Sequence, residues 1–366
     1  MPMSKNLVFE GGSAVVEETA ARLAGPLGPD RAARWTVPRN HYAPTLRMET
    51  DDQGPVAAVL TSARPATAAT KIVDLWWRDG AADVAGGLLD EVMAAASARG
   101  DAAVKWELPL GGGLPGFGVE RGFAPMRAPW SAKGTERIGG AVAWLEEIPH
   151  RELGFFAQTT MFTCGSVAAL MAMDVRGHVG LTGDSEDRAV ELSFWRQAAN
   201  FPACEPVGLG VAMAEALAPR GVAVEIVSDV DGPVLIEDFD GFEREFREEL
   251  QAESVRQAHQ RGVGLSRAHL SMSRIVDRIA AGEIALLLID EAPMHGDPGP
   301  HWITAHAARG DLVLVQDPWV GVNEGETWVD THDLPIRASS LDEMVAWGEN
   351  RLRGVVFVAS AATSAE

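Results

Sequence analysis

The segment that most constrains the fold is the run CGSVAALMAMDV at residues 164–175, which is apolar, rich in alanine and free of proline. Such a run predicts a buried helix, and Thr163 is available as the N-cap of its first turn. A length of 366 residues predicts two domains, or at most three, each able to bury its own core. With 46% hydrophobic and 23% charged residues, the composition excludes a disordered, fibrous or membrane-spanning chain.

Charge and cysteine content exclude several classes of function. The 52 Asp and Glu residues outnumber the 31 Lys and Arg residues, and the net charge of −21 disfavours nucleic acid and anionic lipid as partners. A neutral or cationic substrate is easier to accommodate. No apolar stretch reaches the length of a membrane span, and the first residues lack a signal-peptide pattern, so we predict a cytoplasmic protein. The two cysteines, Cys164 and Cys204, are too few for a disulfide scaffold or a four-thiolate zinc site.

The first part of the chain, which we place at residues 1–145 together with its linker, has the pattern of a small α/β domain. Strand-like runs at 56–63 and 71–77 precede an alanine-rich helical segment at 81–99. Another strand-like run follows at 102–110. The order of strand, helix and strand is therefore predicted for this part.

The second part, residues 146–366, begins with helical patterns and continues with strands. The predicted helices cover 164–175, 186–200, 206–221, 241–262 and 271–282, and the predicted strands cover 222–228, 234–239, 283–290, 301–308, 312–317 and 352–360. In the second of these helices, Val190, Phe194 and Ala198 fall at helical spacing and predict its apolar face. Helices followed by mostly antiparallel strands indicate an α+β domain.

Cys164 is predicted at the first turn of a buried helix, where unpaired backbone N–H groups and the helix dipole stabilise a thiolate. Gln158 lies six residues upstream and could donate its side-chain amide to the oxyanion that forms when this thiolate attacks a carbonyl. The alternative is that Cys164 is a small core residue. Only its partners decide between the two.

Suitable partners occur in a predicted hairpin. His301 opens one strand, Asp317 ends the next, and Arg309-Gly310 predicts the tight turn between them. Antiparallel pairing about that turn brings residue 301 back beside residue 317, within hydrogen-bonding reach. Because a thiolate nucleophile needs a histidine base and a third group that orients the histidine, the pattern predicts a Cys–His–Asp arrangement.

Several blocks resemble a known family. QTTMFTCGSVAALMAM at 158–173 resembles the active-site helix of papain-like cysteine peptidases of the bacteriocin-processing, double-glycine-leader type, in which Gln is followed after five residues by Cys-Gly. PHWITAHAARGDLVLVQDPW at 300–319 resembles their His strand and Asp-Pro turn. ELSFWRQA at 191–198 and PVGLGVAMA at 206–214 are similar to segments of a stand-alone bacterial branch that carries an acetyltransferase-like domain in front. The resemblance covers residues 150–360 approximately.

The resemblance implies a role for each of four residues. Gln158 would supply the oxyanion hole, Cys164 the nucleophile, His301 the base and Asp317 the orienting carboxylate. It also implies that residues 146–366 form a papain-like domain.

The first part resembles a GNAT-type acetyltransferase in AAVKWELPL at 102–110 followed by GFGVERGFAPM at 116–126. A working member needs a glycine-rich turn between a strand and a helix to hold the pyrophosphate of acetyl-CoA. RDGAADVAGG at 78–87 has glycines without the usual spacing of that turn. We therefore predict a degenerate GNAT-like domain without a cofactor, which serves substrate docking or completes the fold.

Four residues resemble metal ligands by type, namely His295, Asp297, His301 and His306. The last two are five positions apart, which places them on opposite faces of one strand, so no metal site is predicted. The acidic run at 237–249 predicts a solvated helix face or, alternatively, the rim of a cleft for basic substrates. Cys204 is predicted to be a structural thiol, with a place in the cleft as the alternative.

The predicted fold class is α+β, with a papain-like cysteine peptidase domain preceded by a small α/β GNAT-like domain. The predicted activity is hydrolysis of a peptide or amide bond through an acyl-enzyme on Cys164. Two alternatives stay open: an acyl- or aminoacyltransferase that forms an amide on a natural-product or peptide intermediate, and a non-catalytic peptide-binding module. The predicted partner is a peptide or a small amide or thioester, and the oligomeric state is left open.

Overall fold

The computed structural model describes residues 5–39, 41–199 and 202–359. Internal contacts divide the chain into two compact units. The first contains the described residues up to Ala128, Lys133–Glu147 and Val320–Asp330, and the second contains Pro129–Ala132, Ile148–Trp319 and the described residues from Thr331 onward. Within the described ranges, no helix is both long enough and apolar enough to cross a membrane.

The first unit is built on a seven-stranded sheet with helices in its connections. Its strands are β1 (Lys5–Glu10), β2 (Thr45–Asp51), β3 (Gly54–Ser62), β4 (Ala69–Trp77), β5 (Ala103–Pro109), β6 (Ala124–Pro125) and β7 (Ile138–Trp144). Its helices are α1 (Gly12–Glu18), α2 (Ala24–Leu27), α3 (Pro29–Trp35), α4 (Ala82–Arg99) and α5 (Gly116–Val119), with a π-helical turn at Thr19–Leu23. The predicted order of strand, helix and strand is confirmed by β4, α4 and β5.

The sheet of the first unit has the strand order β1-β2-β3-β4-β5-β7-β6, and only β4 and β5 pair in parallel. Their pairing covers Ala69–Ile72 and Ala103–Trp106, so the two strands separate toward their C-terminal ends. The connection between parallel strands is α4, which packs Leu88, Leu89 and Val92 onto the sheet. Gly100, in the left-handed conformation at φ 81°, ends this helix.

The second unit is also a mixed layer of helices and one sheet. Its helices are α6 (Cys164–Val175), α7 (Glu186–Ala198), α8 (Pro206–Leu217), α9 (Gly241–Arg261), α10 (Met272–Ala280), α11 (Ala292–His295) and α13 (Ala338–Met344), while α12 (Trp328–Thr331) begins in the first unit. Its strands are β8 (Val224–Ser228), β9 (Gly264–Ser266), β10 (Ile284–Asp290), β11 (Pro300–Arg309), β12 (Leu312–Gln316), β13 (Leu334–Arg337) and β14 (Gly354–Val358). The α+β class is thereby confirmed.

The sheet of the second unit has the strand order β13-β12-β11-β10-β14-β8-β9, and all its pairs are antiparallel except β8 with β9. The helix α6 lies against β11, where the Thr304 hydroxyl donates to the carbonyl of Ala168 over 2.9 Å. Residues from Gly165 to Met173 are all buried, as the apolar run predicts. The first residue of α6 is thereby held beside the strand that carries His301.

One predicted strand is absent. Residues 234–239 form a loop, although Val234, Leu235 and Ile236 are buried. Gln251 of α9 replaces a neighbouring strand, because its side-chain oxygen accepts from the N–H of Val234 over 2.9 Å and its amide donates to the carbonyl of Val234 over 2.8 Å. One side chain therefore satisfies both backbone groups of Val234. The next residue, Leu235, has a φ of 56°, which lies in the left-handed region and is incompatible with an extended strand.

Candidate active site

Cys164 begins α6, is half-buried and forms no disulfide. Thr163 precedes it at the N-cap position, but its hydroxyl does not cap the helix. It donates instead to Oε1 of Glu191 over 2.5 Å. Because the first N–H groups of a helix have no partner within the helix, the start of α6 offers backbone donors and the positive end of the helix dipole at Cys164.

His301 and Asp317 are both buried, and His301 Nε2 lies 2.7 Å from Asp317 Oδ1 in a hydrogen bond. The N–H of Trp319 donates to the same oxygen over 2.9 Å. The side chain of Cys164 is also close enough to His301 to raise the pKa of the imidazole. Because Asp317 occupies Nε2, Nδ1 is the ring nitrogen left for the thiol. The structure therefore brings the three predicted residues together, with a hydrogen bond between His301 and Asp317 and with Cys164 beside the imidazole.

The protonation of His301 follows from these contacts. Burial by itself lowers the pKa of His301, but the Asp317 carboxylate and Cys164 outweigh burial and hold that pKa well above its ordinary value. The imidazolium form is therefore favoured beside Cys164 at neutral pH. A thiolate in that position gains an adjacent positive charge.

The contact between His301 and Asp317 is diagonal rather than directly opposite. Thr304 pairs with Gln316, and a register shift interrupts the hairpin between Ala305 and Ala307. Extending this register past the end of β12 places Asp317 opposite residue 303, so His301 reaches it from two residues away on the strand. The turn-based count placed residues 301 and 317 side by side because it put the turn at Arg309-Gly310, whereas Arg309 pairs with Leu312 and the turn is formed by Gly310 and Asp311.

Gln158 is buried and is tied at both backbone and side chain. Its N–H donates to the carbonyl of Pro318 over 2.9 Å, and its side-chain Nε2 donates to the carbonyl of Thr160 over 2.8 Å. An amide nitrogen carries two hydrogens, so one donor of Nε2 remains for another acceptor. The first bond ties Gln158 to the turn after Asp317, and the second ties its amide to the loop that leads to Cys164.

Gly165 explains why the nucleophile position is followed by glycine. A Cβ at Gly165 would lie 2.9 Å from Cys204 Cβ, closer than Cβ atoms pack, and 3.1 Å from Trp302 Cδ1, which is a tight contact. Trp302 is fixed in turn, because its indole N–H donates to the carbonyl of Cys204 over 2.8 Å. Burial raises the pKa of the Cys204 thiol, with Cys164 adding to the effect. Cys204 is therefore a neutral packing group behind α6.

The buried face of α7 differs from the prediction. Val190 is exposed, whereas the face that packs inward carries Asp187, Glu191, Phe194 and Ala198. Both acids are satisfied by loop donors: Glu191 by the segment 159–163 and Asp187 by Thr182 and Gly183. Their spacing could have revealed these two acids. Asp187 and Glu191 lie four residues apart, on the same face of the helix as the apolar residues Phe194 and Ala198.

Three histidines of the second unit surround the carboxylate of Asp333. This cluster was not predicted from the sequence. His306 Nε2 lies 3.0 Å from Oδ1 of Asp333, while His332 Nε2 and His150 Nε2 lie 3.4 and 3.9 Å from Oδ2. Burial raises the pKa of Asp333, but His332 and the other two histidines outweigh it, so the pKa is lowered. Over the described ranges, no group of three or more His, Cys, Asp or Glu side chains is arranged to hold a metal.

The first unit has a cavity of about 680 Å³ where β4 and β5 separate. Arg31 and Arg34 of α3 cross this gap and donate to the carbonyls of Leu75 and Val73. Arg31 is also held by Asp74 through two hydrogen bonds of 2.5 and 2.7 Å, and Arg34 pairs with Glu107. Both cations of the cavity are therefore neutralised by acids of the same unit.

Comparisons with known proteins separate the two parts of the chain. Solved structures similar to roughly the first 150 residues include a GNAT-family acetyltransferase from Staphylococcus aureus, with 12% identity, a TM-score of 0.31 and coverage of 39% of this chain and 100% of that chain. A ribosomal-protein-alanine N-acetyltransferase from Escherichia coli has 12% identity, a TM-score of 0.29 and coverage of 40% and 97%. A Bacillus subtilis acetyltransferase in complex with CoA has 9% identity, a TM-score of 0.28 and coverage of 38% and 99%. Likeness of this strength assigns no activity to the first unit.

The second part is matched by a family. No curated protein matches the chain. A family model described as "Peptidase_C39 like family" matches residues 153–359, which is more than half of the chain and includes Gln158, Cys164, His301 and Asp317. The prediction of a cysteine peptidase-like enzyme is confirmed at this level. The chain belongs to the Peptidase_C39 like family.

Proposed function

We propose that the second unit is a papain-like domain that transfers acyl groups through Cys164. The observation that carries this proposal is the buried hydrogen bond between His301 and Asp317, with the imidazole beside Cys164 at the start of α6. A histidine oriented by a carboxylate and placed on a thiol is the arrangement that activates a cysteine nucleophile.

In the proposed reaction, Cys164 Sγ attacks the carbonyl carbon of the substrate, and the carbonyl oxygen becomes an oxyanion. The backbone N–H of Cys164 and the second hydrogen of Gln158 Nε2 donate to that oxyanion. His301 then gives its proton to the leaving nitrogen as the carbon–nitrogen bond breaks, leaving an acyl thioester on Cys164.

The second half of the reaction returns the enzyme to its starting state. Neutral His301 removes a proton from water as the water oxygen attacks the thioester carbonyl. The thioester breaks, a carboxylic acid leaves, and the thiolate–imidazolium pair re-forms. An amine in place of water would give an amide, so the same residues serve the alternative acyl- or aminoacyltransferase reaction.

A peptide is the substrate class that the site supports best. Met161 and Phe162 precede Cys164 and are exposed, with relative exposures of 84% and 38%, although both are apolar. Apolar side chains held in water next to a nucleophile suit contact with an apolar substrate side chain. A non-catalytic peptide-binding module would use the same surface, but it would need neither the buried His301–Asp317 bond nor the contact of His301 with Cys164.

Intact-mass spectrometry tests this proposal. Incubation with a peptide thioester should add one acyl group to the wild-type chain and none to the Cys164→Ala variant. Loss of the adduct in buffer indicates a hydrolase, whereas amide formation with an added amine indicates an acyltransferase. An unmodified wild-type chain at millimolar thioester, together with an intact thioester that is neither hydrolysed nor converted to an amide, would overturn the proposal and favour the binding module.

A further inference from the structure

Glu191 of α7 is a fully buried carboxylate whose three partners all belong to the segment Thr159–Thr163, here termed the 159–163 loop. Its Oε1 accepts from the N–H of Thr159 over 2.9 Å and from the hydroxyl of Thr163 over 2.5 Å. Its Oε2 accepts from the hydroxyl of Thr159 over 2.6 Å. One acid therefore holds both ends of this loop.

The partners of Glu191 are neutral. In the part of the chain that the structure describes, no Lys, Arg or His side chain forms an ion pair with this carboxylate. Burying a carboxylate without a cation is costly even when hydrogen bonds satisfy it. What Glu191 contributes in return is three hydrogen bonds, and all of them go to one short segment of the chain.

The 159–163 loop joins the two oxyanion donors of the proposed function. It begins next to Gln158, whose amide donates to the carbonyl of Thr160 over 2.8 Å. The hydroxyls of Thr160 and Thr163 lie 2.9 Å apart and form a hydrogen bond. Thr160, which binds Gln158, is thereby linked to Thr163, which binds Glu191. The loop ends next to Cys164, whose backbone N–H is the other donor.

Glu191 also determines what the Thr163 hydroxyl does. A threonine at the N-cap ordinarily accepts a hydrogen bond from a first-turn N–H of its own helix. The hydroxyl of Thr163 is directed at Glu191 and caps no N–H of α6, so the backbone donors at the start of the helix are left for a ligand.

We infer that Glu191 is a positioning residue that holds Gln158 and the start of α6 in the geometry that receives an oxyanion. This inference rests on the proposed acyl-transfer function. Glutamine at 191 would offer one acceptor oxygen instead of two and would direct its amide hydrogens at Thr donors, so the loop would lose its arrangement while the side chain kept its size.

Asp187 provides a matched control on the same helix. It lies one turn before Glu191, is also buried, and also accepts from loop donors, namely the N–H of Thr182 and the N–H of Gly183. Its loop does not lead to Cys164. A general need for a buried acid on α7 would make the two positions equivalent, whereas the inference separates them.

Two reagents distinguish the donors from the nucleophile. Iodoacetamide alkylates a thiolate by displacement at carbon and forms no oxyanion, whereas 4-nitrophenyl acetate acylates it through an oxyanion. We expect Glu191→Gln to lower the rate of 4-nitrophenol release 10- to 100-fold while iodoacetamide labelling of Cys164 stays within about threefold of wild type. Asp187→Asn should change neither rate by more than about threefold.

The outcomes are separable. The inference is wrong if Glu191→Gln slows 4-nitrophenol release and iodoacetamide labelling equally, or slows neither. It is also wrong if Asp187→Asn slows acylation as much as Glu191→Gln does. If Glu191→Gln does not fold, Thr163→Val removes one of its donors at constant side-chain shape, and the same split between the reagents is expected or the inference fails. A wild-type chain that is alkylated but never acylated would refute the proposed function instead.

Discussion

A buried ion cluster of the first unit and Glu191 of the second unit hold buried acids in different ways. In the first unit, Lys71 lies 2.6 Å from Glu107 and 2.5 Å from Asp330, and Arg64 lies 2.8 Å from Glu326, with all of these side chains at least nine-tenths buried. In the second unit, Glu191 has only hydroxyl and N–H partners. Breaking a buried ion pair leaves one charge without its partner, whereas Glu191 holds a segment of the chain through hydrogen bonds from neutral donors alone.

The largest effect is expected at the orienting carboxylate. Asp317→Asn removes the charge that raises the pKa of His301 and leaves burial, which lowers it. The imidazolium, present below the folded pKa of His301, should then be lost at lower pH, and acylation at pH 7 should fall about 100- to 10,000-fold. The rate of 4-nitrophenyl acetate turnover, measured against pH for the variant and the wild type, checks this. If activity of Asp317→Asn declines at the same alkaline pH as activity of the wild type, the prediction is wrong.

The next largest effect concerns an ion pair of the first unit. Burial raises the pKa of Glu107, but Lys71 and Arg34 outweigh it and keep the pKa lowered, so the group is charged. Lys71→Met should therefore cost about 3–5 kcal/mol in the free energy of unfolding. The control is Arg22→Met, which breaks an exposed pair with Glu18 and should cost at most about 1 kcal/mol. Equal shifts in urea unfolding would contradict the distinction.

A smaller effect is expected at Gly165. An added methyl would meet Cys204 and Trp302 and should lower the free energy of unfolding by about 1–3 kcal/mol. Gly87 of α4 is the matched control, since it is exposed and its Cβ would meet no atom within 4 Å. Gly87→Ala should stabilise by up to about 1 kcal/mol. Thermal unfolding of both variants decides, and a neutral Gly165→Ala would refute the packing argument.

The smallest effect is expected for acetyl-CoA. The cavity between β4 and β5 is lined by Asp30, Asp74, Asp79 and Glu107, and its two arginines are already paired. An anionic pyrophosphate therefore meets a lining of unfavourable charge. Calorimetric titration should give no binding in the micromolar range, and a micromolar Kd would contradict our prediction of a degenerate domain.

The parts of the candidate site that rest on local patterns were predictable from the sequence. The helix at 164–175 and the hairpin that joins His301 to Asp317 follow from apolar runs and a two-residue turn. These are signals within a few residues of each other. The bulge near Ala305 contributes to the contact, because the pairing nearer the turn would set Asp317 opposite Thr304, whereas the shifted register sets it opposite residue 303, on the same face as His301.

The remaining features depend on partners far along the chain. Glu191 is buried because donors about 30 residues earlier satisfy it, and residues 234–239 form a loop because Gln251 pairs with Val234. Residues 320–330, which follow Asp317 closely in sequence, belong to the first unit. No local pattern reports such packing, so hydrophobicity and spacing favoured Val190 on the inner face of α7 and a strand at 234–239.

The central claim is that His301 activates Cys164, and the pH dependence of iodoacetamide labelling tests it most directly. An unassisted thiol ionises with a pKa near 8.5 and reacts slowly in acid. The account predicts labelling of Cys164 in the wild-type chain at pH 5 to 6, at a rate that His301→Ala lowers at least 10-fold, with Cys204 unlabelled in both. Labelling that rises only above pH 8 and is unchanged by His301→Ala would contradict it.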